Sequence, residues 1–419
     1  MVEAAPPVAA WRKLALAAAV AGAFALLPGG GDGPIGAAQA QETVRAEVGR
    51  PLQQARDLIK ANRHREALAR LREVEAVPNR TAHENFLLEQ MRASAASGAG
   101  DHEQAIRSFT FLINSGRMSE AENARLAAGL AGLHYRQRDF KSAAGWAERA
   151  LKANPGDGAL RALLIQSHFQ GGDLAAAQRE ALADVQAAER AGRTPPEDQL
   201  LLLANIAARN TADRTGHLQA MERLIAHYPK REYWADLLRR IETRPGWSNR
   251  LTLEVYRLRA ATRTLATAAD YTEYAQLALQ EQQAGEAKRI LDEGFAAGIL
   301  GKGPEAERQR RLLALANQRA AEAPKVLAEA EREAVDDKDG NDLVRIGLGY
   351  SGLGQHDKGV ALIQQGIARG GLKRPHDAKL HLGIALHRAG DKGRAAQVLR
   401  TVGGADGTAD LARLWQRVS

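Results

Sequence analysis

The chain of 419 residues contains no cysteine and few aromatic side chains, which make up 5% of it. The absence of cysteine excludes disulfide bonds, thiolate metal ligands, a cysteine nucleophile and a lipid anchor on cysteine. Strand signals are also scarce, because no clear stretch of alternating β-branched residues is bounded by turn residues. Alanine, leucine, glutamine, glutamate and arginine occur throughout, so the composition predicts a helical protein.

Long apolar runs are scarce too, and the one at residues 14–27 is too short to span a bilayer, which takes about 20 residues in a helix. It follows Trp11-Arg12-Lys13 and precedes Ala38-Gln39-Ala40, which has the small-x-small form of a signal-peptidase site. We therefore expect residues 1–40 to be a signal peptide, with an uncleaved N-terminal anchor as the alternative. Export of a cysteine-free chain favours the periplasm of a Gram-negative bacterium, with no membrane span after cleavage at Gln41.

The excess of positive charge is modest and dispersed. Lysine and arginine number 58 against 50 acidic residues, a net charge of +8. The densest basic clusters are short and lie among acidic residues: Lys230-Arg231, Arg239-Arg240 and Arg308-Gln309-Arg310-Arg311. This pattern predicts solvated helix faces, with an anionic-polymer stripe as the alternative, and an exported protein would rarely meet nucleic acid.

One pattern of apolar and small residues recurs after about 34 residues, the period of stacked helix pairs. Its first clear copy contains Leu130, His134, Asp139 and Ala143, and its second contains Leu164, His168, Asp173 and Ala177. Near the C-terminus it returns twice, around Ile346-Gly347 and Leu382-Gly383. Because such units pack only on their neighbours, the core is expected to run along the chain. Small residues are expected where the two helices of a unit approach closely.

The helical spacing of apolar residues extends beyond the clear copies. We expect helices over residues 51–62, 64–77, 82–115 with a turn at Gly100, 124–155, 158–190, 197–209, 215–227, 233–242, 249–264, 268–281, 284–297, 305–320, 324–334 and 409–418. The repeat signature weakens in the middle third. The sequence thus suggests N-terminal repeats at 41–190, divergent helical repeats at 191–335, and C-terminal repeats with a capping helix at 336–419.

The pattern resembles the tetratricopeptide repeat: a large apolar residue, a small residue, an aromatic or large residue three positions later, then Gly-Asp-aromatic, alanine, and a closing alanine and proline. The match is strong in residues 124–155, 342–366 and 377–402 and fair in 158–190. The resemblance implies an all-α, right-handed α-solenoid of stacked antiparallel helix pairs. The run Tyr228-Pro229-Lys230-Arg231-Glu232-Tyr233-Trp234 is also similar to tetratricopeptide proteins that accompany TonB/ExbB-type envelope systems.

In this family the first helix of each repeat lines a concave face that binds partners. The resemblance therefore implies a binding site formed by Arg125, Tyr135, Arg136, Gln166, Phe169, Gln170, His387 and Arg388. Tyr135 and Phe169 hold corresponding positions and would form a short aromatic ladder suited to an extended peptide or a partner helix. The alternative is that both aromatic rings pack against neighbouring helices.

Two runs resemble ligand motifs without meeting their requirements. Gly347-Leu348-Gly349-Tyr350-Ser351-Gly352 spells a dinucleotide fingerprint but falls inside a predicted helix, where glycine gives packing space. In a calcium loop with Gly340 in the sixth place, the first ligand would be Val335 and the closing one Ile346, neither of which can ligate. No cofactor is therefore expected.

The histidines do not form a recognisable metal motif. His134 and His168 occupy positions where the family has large packing residues, and the sequence shows no carboxylate partner for them, so we interpret them as packing residues. His376, His381 and His387 are not spaced to share one helix face. No metal site is expected.

These patterns predict a non-catalytic exported scaffold that binds a protein or peptide partner in the cell envelope. An alternative is a polysaccharide- or peptidoglycan-associated factor that binds an anionic glycan through its basic face. A third hypothesis is a divergent enzyme in the middle third. A cleft with converging titratable side chains between residues 229 and 300 would favour that hypothesis.

Overall fold

The computed structural model describes residues 44–213 and 215–418, and within them the chain forms 20 α-helices and one short 3-10 helix. Consecutive helices pack in pairs, which confirms the predicted all-α repeat architecture. The chain divides into two compact units, the first ending at Arg193 and the second beginning at Thr194. The predicted signal peptide, residues 1–40, lies outside the described residues.

The first unit contains eight described helices. They are α1 Ala46–Lys60, α2 His64–Glu75, α3 Ala82–Ala99, α4 His102–Asn114, α5 Glu120–Arg136, α6 Phe140–Ala153, α7 Gly158–Gln170 and α8 Leu174–Arg190. Buried alanines, leucines and single aromatics from successive helices form its core, among them Ala131, Ala143 and Ala177 at the predicted close approaches. The helix pairs expected at 82–115, 124–155 and 158–190 are thereby confirmed.

The second unit contains the remaining helices. They are α9 Glu197–Arg209, α10 Gly216–His227, α11 Arg231–Ile241, the 3-10 helix Asn249–Leu251, α12 Thr252–Ala261, α13 Ala268–Gln280, α14 Ala284–Ala296, α15 Ala306–Glu333, α16 Asn341–Gly352, α17 His356–Arg369, α18 Pro375–Arg388, α19 Lys392–Leu399 and α20 Thr408–Trp415. No helix among the described residues is both long enough and apolar enough to cross a bilayer.

Aspartates begin the second helix of several pairs. The side chain of Asp139 accepts a hydrogen bond from the backbone N–H of Ser142 at 3.1 Å, and Asp173 accepts one from Ala176 at 3.0 Å. Each bond satisfies an N–H group that has no partner within its helix. Gly172 precedes Asp173 with φ of +82°, a conformation that favours glycine. The Gly-Asp signature in the sequence is therefore a helix-capping turn.

Glycine allows the closest helix approach in the C-terminal repeats, as the sequence predicted. A Cβ atom at Gly347 would lie 2.6 Å from the carbonyl oxygen of Gly359, and one at Gly383 would lie 2.4 Å from a methyl carbon of Leu399. Both glycines lie in helices, Gly347 in α16 and Gly383 in α18. The run that spells a nucleotide fingerprint thus provides packing space.

Two helices differ clearly from the sequence-based expectation, and both run through a proline. The first is α1, which begins at Ala46, five residues before its predicted start at Pro51. The second is α15. Two helices were predicted on either side of Pro324, but α15 continues through this proline for 28 residues. The N-terminal half of α15 packs against α13 and α14 through Ala316, while Leu327 beyond the proline packs against Leu343 and Ile346 of α16. Because both halves are held by different neighbours, tertiary packing compensates for the hydrogen bond that proline cannot donate.

The C-terminal helix of the second unit packs back onto the divergent segment. The backbone N–H of Ser248 donates to the carbonyl of Asp406 at 2.9 Å, and a Cβ atom at Gly407 would lie 2.4 Å from the Trp247 ring. Arg244 pairs with Asp410 at 2.6 Å. The divergent middle and the C-terminal repeats of the second unit are therefore in direct contact, which the sequence did not predict.

Candidate functional site

The predicted binding surface in the first unit involves the neighbouring helices α5 and α7. The hydroxyl of Tyr135 donates to Oε1 of Gln166 at 3.2 Å, which links these two helices directly. The Tyr135 ring also meets Phe140 of α6 edge-on, with 5.4 Å between ring centroids. Tyr135 therefore packs against a neighbouring helix, as the alternative interpretation proposed, while its hydroxyl contacts Gln166, another residue of the predicted binding surface.

The other residues predicted in the first unit differ in exposure. Arg125, Arg136 and Gln170 are exposed, whereas Phe169 is half-buried like Tyr135 and Gln166. Arg136 and Gln170 are the last residues of α5 and α7. The structure thus places half-buried aromatic side chains next to exposed hydrogen-bond donors. Such a surface can bind a peptide through both apolar and polar contacts.

The histidines of the first unit have carboxylate partners, contrary to the sequence-based interpretation. Nδ1 of His134 lies 3.1 Å from Oδ2 of Asp139, and Nδ1 of His168 lies 3.9 Å from Oδ2 of Asp173. In both repeats the aspartate is the one that caps the following helix. The turn between the paired helices brings each histidine close to the aspartate five residues later, a contact that the sequence-based interpretation did not include.

His387 and Arg388 occupy a different environment from the one expected. A guanidinium nitrogen of Arg388 bonds to Oε1 of Glu286, and its side chain is only 18% exposed. His387 packs edge-on against Trp415 with 5.3 Å between ring centroids. Both residues therefore belong to the interior contacts of the second unit, because α14 and the C-terminal helix cover this part of α18.

Arg388 joins a buried network of charges centred on Arg257. The Arg257 guanidinium donates to Oε1 of Glu254 at 2.6 Å and to Oε2 of Glu286 at 2.7 Å, and only 3% of the residue is exposed. Glu286 also accepts from the Tyr274 hydroxyl at 2.5 Å. Four of these residues lie in the divergent segment on α12, α13 and α14, so the network connects these helices to Arg388 of α18.

The two glutamates of this network are held in the ionised form. Burial acts to raise the pKa of Glu254, but the nearby charges of Arg257 and His381 outweigh burial and lower it to about 2. Burial opposes ionisation of Glu286 as well, and there Arg257 and Arg388 hold the pKa well below its ordinary value. Carboxylates held ionised in this way are poor proton donors near neutral pH.

A pocket of about 500 Å³ borders this network. Its wall includes Glu254 and Arg257, and also His381, Arg250 and Asp377. Nε2 of His381 lies 2.9 Å from Glu254, and Arg250 pairs with Asp377 at 3.0 Å. Arg250, Glu254 and Arg257 come from residues 229–300, where the enzyme hypothesis expects converging titratable groups, whereas Asp377 and His381 come from the C-terminal repeats. These groups are joined in ion pairs, and such pairs can stabilise the fold without any role in catalysis.

Sequence reasoning did not identify Glu254, Arg257 and Glu286. A signal was present, because Glu254 and Arg257 are three residues apart in the otherwise apolar run Leu253–Leu258 of α12. Opposite charges at that spacing face the same side of a helix, and apolar neighbours indicate burial. Their partner Glu286 is 29 residues from Arg257 and can be identified only from the tertiary structure.

We expect the second unit to lose stability as the pH falls from 4.5 towards 2. The folded pKa of Glu254 lies below its ordinary value of 4.5, so its stabilising ionisation is complete above 4.5 and is lost through the folded value of about 2. Glu254 alone contributes about 3 kcal/mol to this loss. Urea titrations at several pH values would measure it, and Glu254→Gln should flatten the profile. A free energy of unfolding that stays constant in this range would contradict the prediction.

The run from Tyr228 to Trp234, whose resemblance suggested an envelope role, makes local contacts in the second unit. The Tyr228 hydroxyl donates to the carbonyl of Pro195 at 3.1 Å, and the Tyr233 hydroxyl donates to Glu197 at 2.6 Å. Lys230 pairs with the same glutamate at 2.6 Å. The run therefore anchors the start of α9, and its link to an envelope system stays a prediction.

A comparison with family models agrees with the repeat architecture in two parts of the chain. The sequence model of the tetratricopeptide repeat matches residues 91–158 and 344–409. A search of curated proteins found no match. A chain in the structure of Naa15/Naa10 bound to HypK-THB is 16% identical with a TM-score of 0.34, and the match covers 87% of this chain and 58% of that one.

A tetratricopeptide repeat protein from Parabacteroides merdae is 12% identical with a TM-score of 0.29, and the match covers 79% of this chain and 99% of that one. The family match is to a repeat and not to an enzyme. Together with the paired helices and the capped Gly-Asp turns, it indicates tetratricopeptide-type repeats in residues 91–158 and 344–409.

Proposed function

We propose that this protein is a non-catalytic scaffold that binds a protein or peptide partner through α5 and α7 of the first unit. The supporting observation is the bond between Tyr135 and Gln166, which links the first helices of two consecutive repeats. Exposed Arg136 and Gln170 end these helices and can donate hydrogen bonds to a ligand backbone. Arginine also favours a partner with acidic side chains.

We also propose that the protein is exported and acts in the cell envelope. The support is the sequence pattern of a basic start, an apolar stretch at 14–27 and the small residues Ala38 and Ala40. Fractionation of cells that express the full-length chain would test the location, and recovery in the cytoplasm alone would contradict it.

A binding experiment tests the scaffold proposal. Tagged full-length protein would be used to capture partners from envelope extract, and the double variant Arg136→Glu/Gln170→Ala should recover about tenfold less of the same partner, because two polar contacts are lost and one charge is reversed. These exposed residues are better targets than Tyr135 and Phe169, whose replacement would disturb packing.

Lys152→Glu provides a matched control. Lys152 is exposed near the end of α6, the second helix of the same repeat, so the variant reverses one charge without touching α5 or α7. Its capture of the partner should equal that of the unmodified protein. Equal losses in the control and the double variant would indicate a general charge effect, and full capture by the double variant would remove the assignment to α5 and α7.

A further inference from the structure

A second pocket in the second unit has an unusual lining. It has a volume of about 360 Å³, within the range of small-ligand sites, and lies where α12, α14, α16 and α18 meet the end of α20. Its charged side chains are Arg257, Arg289 and Arg388. None of the described residues that line it is acidic, in contrast to the larger pocket beside Glu254 and Asp377.

The three arginines reach the pocket from three different helices and differ in mobility. Arg257 of α12 and Arg388 of α18 are fixed by bonds to Glu286, which does not line the pocket. Arg289 of α14 is 51% exposed and forms a loose 3.7 Å ion pair with Glu293. Two cationic groups are thus preorganised, and the third can move towards a ligand.

The uncharged part of the wall also offers hydrogen-bonding groups. Oγ of Ser351 lies 3.2 Å from Nδ1 of His356. Nε1 of Trp415 and Nε2 of His387 are buried and have no hydrogen-bond partner among the described residues. Buried polar groups normally have a hydrogen-bond partner. A ligand in the pocket could supply a partner to these two atoms after a small movement of their side chains.

The pKa values of the two imidazoles that line the pocket are lowered first by burial and then by nearby cations. Burial lowers the pKa of His356, and the charges of Arg388 and Arg289 lower it further against the opposing charge of Asp357. Burial also lowers the pKa of His387, with an added effect from Lys392. A bound anion would counteract the effect of these cations and raise both pKa values.

We propose that this pocket binds a phosphate group, either as inorganic phosphate or as the phosphate ester of a small molecule. Guanidinium groups form charge-assisted, often bidentate bonds to phosphate oxygens. Three arginines that converge from separate helices match an anion whose oxygens point in several directions. Trp415, Ala260 and Ala261 provide an apolar wall for the organic part of an ester. This site is separate from the protein-binding surface proposed for α5 and α7.

Calorimetric titration of the full-length protein tests the site. The ligands are inorganic phosphate, phenyl phosphate and acetate, with chloride at matched ionic strength as the reference. We expect phosphate to bind and to raise the pKa of His356 in an NMR titration. If phenyl phosphate binds more tightly than inorganic phosphate, the better ligand is a phosphate ester. If inorganic phosphate binds more tightly, the better ligand is the free ion. Acetate binding as tightly as phosphate would overturn the assignment to phosphate, as would heats equal to those of chloride.

Two variants of α14 make the test specific. Arg289→Gln should weaken phosphate binding about three- to tenfold, the effect of losing one charge-assisted hydrogen bond. Lys288→Gln removes the same charge from the adjacent residue, which pairs with Asp292 and does not line the pocket, and should leave binding unchanged. Both side chains are substantially exposed, so neither change should prevent folding. Equal weakening in the two variants would place phosphate elsewhere.

Discussion

Replacement of Arg257 by methionine is expected to lower the free energy of unfolding of the second unit by about 3–5 kcal/mol. Methionine approximately fills the space but leaves the carboxylates of Glu254 and Glu286 buried without their shared cation. Both groups would then be charged in a region where Glu286 is 1% exposed. Urea unfolding followed by tryptophan fluorescence would measure the loss, since Trp234, Trp247 and Trp415 lie in this unit.

An exposed ion pair serves as the control for this experiment. Arg308 pairs with Glu305 at 3.3 Å near the start of α15, and both side chains are more than half exposed. Arg308→Met should change stability by less than about 0.5 kcal/mol, because solvent already screens the pair. If Arg257→Met lowered the free energy of unfolding by no more than this control, the buried network would not hold α12 to α14 as we infer.

Gly340→Ala is expected to destabilise the second unit by about 3 kcal/mol through steric overlap. A Cβ atom at this position would lie 1.8 Å from the carbonyl oxygen of Gly366 in α17, an overlap that only backbone movement can relieve. The backbone of Gly340 has φ of −94°, so alanine adopts the conformation itself without strain. The expected loss therefore measures the close approach of the two chain segments.

Gly393→Ala is the matched control in the same unit. Gly393 lies in α19, and a Cβ atom there would come no nearer than 3.9 Å to another residue, at Oδ1 of Asp391. Alanine should leave stability unchanged or raise it by up to about 1 kcal/mol, since glycine weakens a helix. If the two variants behaved alike, conformational entropy instead of steric overlap would explain the role of Gly340.

The local features of this protein follow from its sequence. The Gly-Asp turns before Leu174 and Lys392 could be read as helix caps, and the small residues at 131, 347 and 383 as points of close approach. Helices at 197–209, 268–280 and 284–296 agree with the predicted bounds to within one residue. These features depend on neighbours a few residues apart, so periodicity and turn chemistry suffice to identify them.

The candidate binding residues were predicted less completely. The contact between Tyr135 and Gln166 joins positions in consecutive repeats, and the repeat period placed both on first helices. The same period also placed His387 and Arg388 there, but it could not show that Trp415 and Glu286 would cover them. The repeat period identifies equivalent positions in successive repeats. Whether a side chain at such a position is exposed to solvent depends on which other segments pack against it.

The sequence by itself determined the helix pairs, their turns and the small residues between them, because each depends on interactions within one repeat or between adjacent repeats. The tertiary structure alone decided that α15 runs through Pro324, that the segment before the C-terminal helix contacts Trp247, and that Arg257 and Arg388 both meet Glu286 in the interior. Such contacts join residues far apart in the chain. Their energies arise from burial and charge pairing that exist only once the helices are assembled.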